Sequence, residues 1–306
     1  MRWQVPQSSE LNLRTVATVL PLVVVSVAYH SAEPLAKLAA DLARQQLPPQ
    51  RWLVVDNSPL SAPLAAEALQ RILGPVPLQL LLGEQGQGFG VGCNRAFDWL
   101  AAAGFKDWVW LLNPDTSLRR GDECLQLISS LATLQPTTLA GTAVLDEQRQ
   151  LEASGGWIDP GLNFRRRRIG AAQAEQQTPL AVDWLSGCSL VLQPTAHRPQ
   201  ARFDPHLPLY YEDMDLCLRL ASSASGAVEV LWLPQPQLGH QRGAGSHTPA
   251  SRRLELSSIS YLRFLRRHMP LWVRLLRRLR LLLRALLLLP LQPRRSGAVL
   301  RAFVRA

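Results

Sequence analysis

The sequence has little cysteine, no long apolar run, and one stretch with no acidic residue. Only four cysteines occur in 306 residues, at positions 93, 124, 188 and 217, with no C-x-x-C spacing. That excludes zinc-ribbon and thioredoxin-type chemistry and leaves reduced, buried thiols as the reading. A bilayer-spanning helix needs about 20 mainly apolar residues; here Arg280 and Arg284 interrupt the richest stretch and Pro290 ends it. The N-terminus, Met-Arg-Trp-Gln with Pro6, Glu10 and Pro21 nearby, lacks the apolar core and cleavage site of a signal peptide. Cytoplasmic residence is therefore the expectation. No repeat of fixed period is visible. After Glu255 neither Asp nor Glu occurs, while twelve arginines do. Removing those twelve from the net charge of +10 leaves the first 255 residues at −2, so the basic character belongs to the tail.

What is present, 47% apolar and 18% charged residues, belongs to a globular α/β chain. Residues 19–27 form a short β-branched run, the pattern of a strand buried on both faces of a parallel sheet. A helix with a Ser31 cap and an early proline follows, to about residue 46. Residues 52–55, 78–82 and 108–112 read as further strands, with a helix over 63–73 and another over about 93–103. Between these, residues 83–92 read as a glycine-rich loop. Alternation of this kind gives right-handed parallel βαβ units with ligands at the carboxyl ends of the strands. The second half is less regular. Strands are expected at 139–145, within 182–192 and at 228–233, a loop over 155–168, a helix within 203–220, and a loop over 239–247.

Acidic residues recur just after apolar strands: Asp56, Asp115, and later the Glu212-Asp213 pair. A nucleoside-diphosphate substrate calls for this chemistry. A hard cation bridges the phosphates, held by one or two carboxylates, and neutralises the departing diphosphate. A separate carboxylate takes the proton of an attacking hydroxyl. Each residue also has a plainer reading. Asp56 could satisfy its own turn, Asp115 could cap a helix, and the 212–215 acids could be a solvated helix face. His240 could be an ordinary loop histidine.

The ordered segments VVVSVAYHS (23–31), WLVVDNS (52–58), GFGVGCN (88–94), WLLNPDTSL (110–118), DWLSGCSLVL (183–192), FDPHLPLYYEDMDLCLR (203–219) and HQRGAGS (240–246) resemble the family 2 glycosyltransferases, particularly their rhamnosyltransferase-like branch. The resemblance implies a GT-A-like, Rossmann-type mixed sheet flanked by helices over residues 19–250. A short extension (1–18) would precede it and a basic amphipathic helical tail (251–306) would follow. It implies inverting transfer of a sugar, rhamnose by motif wording, from a nucleotide-diphosphate sugar to a glycan or lipid-linked acceptor in polysaccharide synthesis, assisted by Mg²⁺ or Mn²⁺. By the same resemblance Asp213 is the general base with Glu212 shaping the site. Asp56, Asn94, Asn113 and Asp115 bind the donor, Asp115 and His240 lie at the metal, and Trp184, Ser186 and Gly187 line the acceptor side. The chain departs from many relatives at His30 and at Gly86, where asparagines are common.

Gly88, Gly90 and Gly92 do not make a dinucleotide fingerprint, because they follow the third strand and no acidic residue ends a strand about 20 residues on. A nucleotidyltransferase would want a glycine-rich basic loop after the first strand, and residues 28–33 offer none. From residue 257 to 289 the tail reads as one helix with arginines among leucines, suited to lying on the anionic inner face of the cell membrane. A leucine stripe packed on the main domain is the competing reading. Nucleic acid is not the expected partner, since few aromatics interleave. The alternative from another class is a non-catalytic adaptor acting through this tail. Deletion of 257–306 is the experiment that the sequence suggests to separate it from an enzyme.

Overall fold

The computed structural model describes residues 21–152, 154–159, 165–170, 173, 175, 177–197, 199–223, 228–241 and 248–306. The expected extension 1–18, the start of the first strand and the 242–247 part of the loop lie outside the described residues. The elements run β1 (Leu22–Ala28), α1 (Ala32–Ala43), β2 (Arg51–Asp56), α2 (Ala66–Leu73), β3 (Leu78–Leu82), α3 (Phe89–Ala102), β4 (Trp108–Leu112), β5 (Thr116–Ser117), α4 (Glu123–Leu131) and β6 (Leu139–Leu145). After these come β7 (Gly155–Asp159), β8 (Arg165–Arg168), β9 (Leu180–Ala181), β10 (Trp184–Leu185), β11 (Ser189–Leu192), α5 (Glu212–Ala221) and β12 (Val230–His240). Three helices close the chain: α6 (Ala250–His268), α7 (Leu271–Leu287) and α8 (Pro293–Arg305).

Among the described residues the main sheet has nine strands in the order β3-β2-β1-β4-β11-β6-β12-β5, with β9 beside β12. β1, β2, β3 and β4 pair in parallel, β11 is antiparallel to both β4 and β6, and β12 is parallel to β6. β3, β2, β1, β4, β6 and β12 therefore all point their carboxyl ends to one edge. Strand side chains alternate between faces, which splits the core into two layers. Leu22, Val24, Trp52, Val54, Trp108 and Trp110 pack with α1, α2 and α4 on one side. Val23, Val25, Leu53, Val55, Val109 and Leu111 pack with α3, α5 and α6 on the other. Several buried polar groups in the sheet are paired. Trp52 Nε1 donates to Ser26 Oγ and Trp110 Nε1 to Ser189 Oγ, which also meets Thr142 Oγ1 at 2.7 Å.

Four expectations are corrected. α3 begins at Phe89, not near 93, because Gly90 and Gly92 let its first turn lie directly on Phe203 and Val27. Residues 155–159 and 165–168 pair as an antiparallel hairpin rather than a loop, and with β10 they form a separate three-stranded sheet. β12 continues to His240. Pro234 and Pro236, which cannot donate to a ladder, hide the strand in sequence, and the register shifts between Leu233 and Gln237 before pairing resumes. Finally, the tail is three helices, with α6 ending before Met269-Pro270. Nor is it a separate appendage, because Phe264, Leu265, Met269 and Val273 belong to the main core.

Candidate active site

The common strand edge opens into a cleft of about 1400 Å³. Topology explains why residues far apart in sequence meet there. Tyr29 follows β1, Asn113 and Asp115 follow β4, His240 ends β12, and Ser186, Gly187 and Cys188 lead into β11 from the same edge. The opposite wall is the entrance to α5, with Tyr210, Tyr211, Glu212 and Asp213, together with Arg252, Leu256 and Tyr261 of α6.

On the strand side, Asp115 Oδ1 lies 3.2 Å from His240 Nε2, and His240 Nδ1 lies 2.8 Å from Glu152 Oε2. Burial alone would lower the imidazole, but hydrogen bonds to Asp115 and Cys188 outweigh it and the ring is pushed up to about 11. The pair would take a divalent cation in exchange for the proton on Nε2. Two ligands adjacent on one octahedral ion, each about 2.1 Å from it, stand about 3 Å apart. A carboxylate on the far ring nitrogen is the usual device that orients a metal-binding histidine. Among the described residues no group of three or more His, Cys, Asp or Glu is placed to hold a metal. The protein would thus supply two ligands and leave the remainder to substrate oxygens and water.

On the helix side, Asp213 Oδ2 accepts the Gly187 N–H at 2.9 Å and Oδ1 accepts the Met214 N–H at 2.8 Å. A side chain at Gly187 would come within 2.9 Å of Phe89, so glycine lets this turn lie against the start of α3 while its N–H reaches Asp213. Glu212 behind it is buried, and its Oε2 has no hydrogen-bond partner among the described residues. Burial, then the neighbouring Asp213, raise Glu212 to about 8, so it carries a proton at neutral pH. Trp184 Nε1, in another cleft-lining residue, is likewise buried without a partner among the described residues. Tyr210 and Tyr211 both adopt left-handed backbone, at φ 62 and 67. Strain of order 1–3 kcal/mol per residue persists where the surroundings enforce it, commonly at functional sites. Here α6 enforces it: the Tyr211 ring packs on Tyr261 and Phe264, and Ser260 Oγ accepts the Leu209 N–H.

Asp115, Asn113, Glu212, Asp213, Trp184, Ser186, Gly187 and His240 therefore meet in one cleft. Asp56 and Asn94 do not line it. Asp56 is buried at the end of β2, its oxygens accepting the Ser58 and Leu64 N–H groups, so the plain turn reading describes its contacts. Asn94 is taken up at both ends of its amide by the backbone of Phe203. Sequence reasoning missed Glu152, which no motif marks. It also missed Asn57, whose amide donates to the carbonyls of Gln87 and Gly88 and so ties the cleft-lining loop to the Asp56 turn. The D-N-S turn after β2 was the available signal for Asn57. The α6 wall was missed as well.

No family model and no curated protein matches this sequence. Solved structures do match. A mannosyltransferase from Pyrobaculum calidifontis in complex with GDP-Man and Mn²⁺ superposes with a TM-score of 0.55 at 14% identity, over 94% of this chain and 88% of that one. GalNAc-T7 with UDP, GalNAc and Mn²⁺ gives 0.56 at 12% identity, over 82% of this chain and 52% of that one. TarS 1-349 from S. aureus in complex with UDP gives 0.51 at 12% identity, over 81% and 73%. The chain spans about half the length of GalNAc-T7. At these identities the likeness establishes the fold, a GT-A-type mixed α/β sheet flanked by helices.

Proposed function

We propose that this chain is a metal-assisted, inverting glycosyltransferase that moves a sugar from a nucleoside-diphosphate donor to a hydroxyl of a glycan or lipid-linked acceptor. One observation carries the reading. Asp115–His240–Glu152 and Glu212–Asp213 face a single large cleft from opposite walls, at the carboxyl ends of the parallel strands. The glycosyltransferases that share the fold were solved with UDP or GDP-Man, two of the three with Mn²⁺, which supports a nucleotide donor and a divalent cation. Rhamnose as the sugar rests on motif wording alone.

Asp115 and His240 would hold the cation, with Glu152 fixing the ring so that Nε2 faces the cleft. When bound, the cation supplies charge neutralisation to the departing diphosphate. The chain's own residues do the rest. The loop 86–88, pinned by Asn57, and Asn113 border the donor side. Trp184, Ser186 and Gly187 border the acceptor side. Asp213, held by two backbone N–H groups, takes the proton from the acceptor hydroxyl as its oxygen attacks the anomeric carbon from the face opposite the diphosphate. That geometry inverts the configuration. Glu212, neutral at physiological pH, adds no second negative charge beside the base. The Asp213→Asn variant tests the assignment: donor binding should persist while transfer falls about 10²–10⁴-fold. Retained turnover would remove Asp213 from the role of base, and turnover undiminished by a chelator would remove the metal.

A further inference from the structure

α7 is built inside out for a helix packed on a protein. The face that a globular helix turns to its core is normally the leucine face. Here Val273 and Ala285 are buried, Arg274, Arg277, Arg278, Leu281 and Leu282 are half-buried, and most of the large apolar residues point to solvent. Leu271, Trp272, Leu275, Leu276, Leu279 and Leu283 are 42–58% exposed, and Leu287 is 75% exposed. At 3.6 residues per turn these positions fall within an arc of about 160°, with Arg278 at one border and Arg280 and Arg284 at the other. A contiguous apolar patch rimmed by charge marks an interaction surface.

We propose that this face of α7 lies in the headgroup region of an anionic lipid leaflet. Charge selects the occupant. No acidic residue follows Glu255, and Glu255 itself is already engaged by Arg252, Arg301 and Arg305. Two copies meeting through α7 would bring bordering arginines together with no carboxylate on that helix to separate them. An anionic leaflet instead accepts both the leucines and the bordering guanidiniums. Among the described residues no helix is long and apolar enough to cross a membrane, so α7 rests on the leaflet. The consequence for the cleft comes through α6, whose first half forms the cleft wall at Arg252, Leu256 and Tyr261 and whose far end runs into α7. Docking α7 would hold the cleft at a fixed height above the lipid, where an acceptor carried on a lipid anchor could reach Asp213. This last step rests on the glycosyl-transfer reading; vesicle binding itself does not.

The experiment is co-sedimentation of the full chain with vesicles of phosphatidylcholine alone or mixed with phosphatidylglycerol. The chain should bind the mixed vesicles, weaken with salt, and bind the neutral ones far less. Each of Arg278→Gln, Arg280→Gln and Arg284→Gln should lower partitioning about fivefold. Leu275→Gln, Leu279→Gln and Leu283→Gln combined should abolish binding with the thermal midpoint unchanged, since these side chains are exposed. Failure of the wild-type chain to bind anionic vesicles would overturn the proposal, as would full binding by the leucine variant. So would a wild-type dimer, seen by light scattering, that this variant converts to monomer without any lipid dependence. None of these readouts uses turnover, so the docking surface and the glycosyl-transfer reading fail separately.

Discussion

Helix α5 presents two buried carboxylates, three residues apart, in opposite electrical states. Among the described residues no cation sits beside Glu212 where it faces the cleft, and burial together with Asp213 raises it to about 8. Asp215 is buried as well, and that burial alone would raise it too. Its contacts with His268 (2.8 Å), Arg219 (2.7 Å) and Arg267 (2.8 Å) instead hold it at about 2. Partners decide charge, and burial only sets how much the partners matter. On the cleft side of α5, Asp213 is held by the Gly187 and Met214 N–H groups. The other side spends its carboxylate on holding α5 against α6, and Arg267 reaches on to Asp204 at 2.6 Å.

That contrast can be broken first at Asp215. Asp215→Asn removes the buried anion that two guanidiniums and an imidazole share, and should cost about 3 kcal/mol in denaturant unfolding; the partial exposure of Arg219 and Arg267, and their remaining bonds to Asp204 and the Arg202 carbonyl, argue for the low end of the range. Neutral stability would mean the network does not hold the two helices together. Because its folded value lies below the ordinary 3.8, the stability it confers is complete above that pH and is lost as pH falls toward about 2.

On the opposite wall, Glu152 is a cleft carboxylate spent on orienting His240. Glu152→Gln should weaken Mn²⁺ affinity about 10–100-fold, measured by calorimetry with a nucleoside diphosphate present. Unchanged affinity would detach Glu152 from the metal.

Glu212→Gln should act with the opposite sign. With a folded value of about 8 against an ordinary 4.5, the folded chain keeps a proton that the unfolded chain releases. The wild type therefore loses stability as pH rises between those values, by up to about 1.4 kcal/mol per pH unit. The glutamine variant should be the more stable of the two across that window, and equal to the wild type below pH 4.5. A wild-type advantage at pH 7 would contradict the protonated assignment.

Much of the site was legible because its residues sit where strands end. Asp115 follows an unbroken apolar strand, and Glu212-Asp213 opens a helix whose Met214, Leu216 and Leu220 are periodic. Asp56 shares the first signature yet turns its oxygens into its own loop, since strand position fixes a residue's edge and not its side-chain partners. Glu152 lies in an irregular stretch after β6 and becomes visible only when His240 arrives from β12, 88 residues later. In the tail, periodicity showed leucine and arginine stripes but not which stripe the core would take. The break at Met269-Pro270 let α6 join the core and turned α7 outward. Deleting 257–306 would consequently remove Phe264 and Leu265 from the core and two of the partners from Asp215, so it does not separate an enzyme from an adaptor.

The most direct test of the central claim is a thermal-shift panel of nucleotide sugars, with and without Mn²⁺, on the wild-type chain and on Asp115→Asn. One donor at about 100 times its Kd should stabilise the wild type by about 2.7 kcal/mol, only with metal present, and the variant should lose most of that gain. If no nucleotide sugar stabilises the chain in the presence of metal, or if Asp115→Asn responds like the wild type, the cleft is not a metal-assisted donor site.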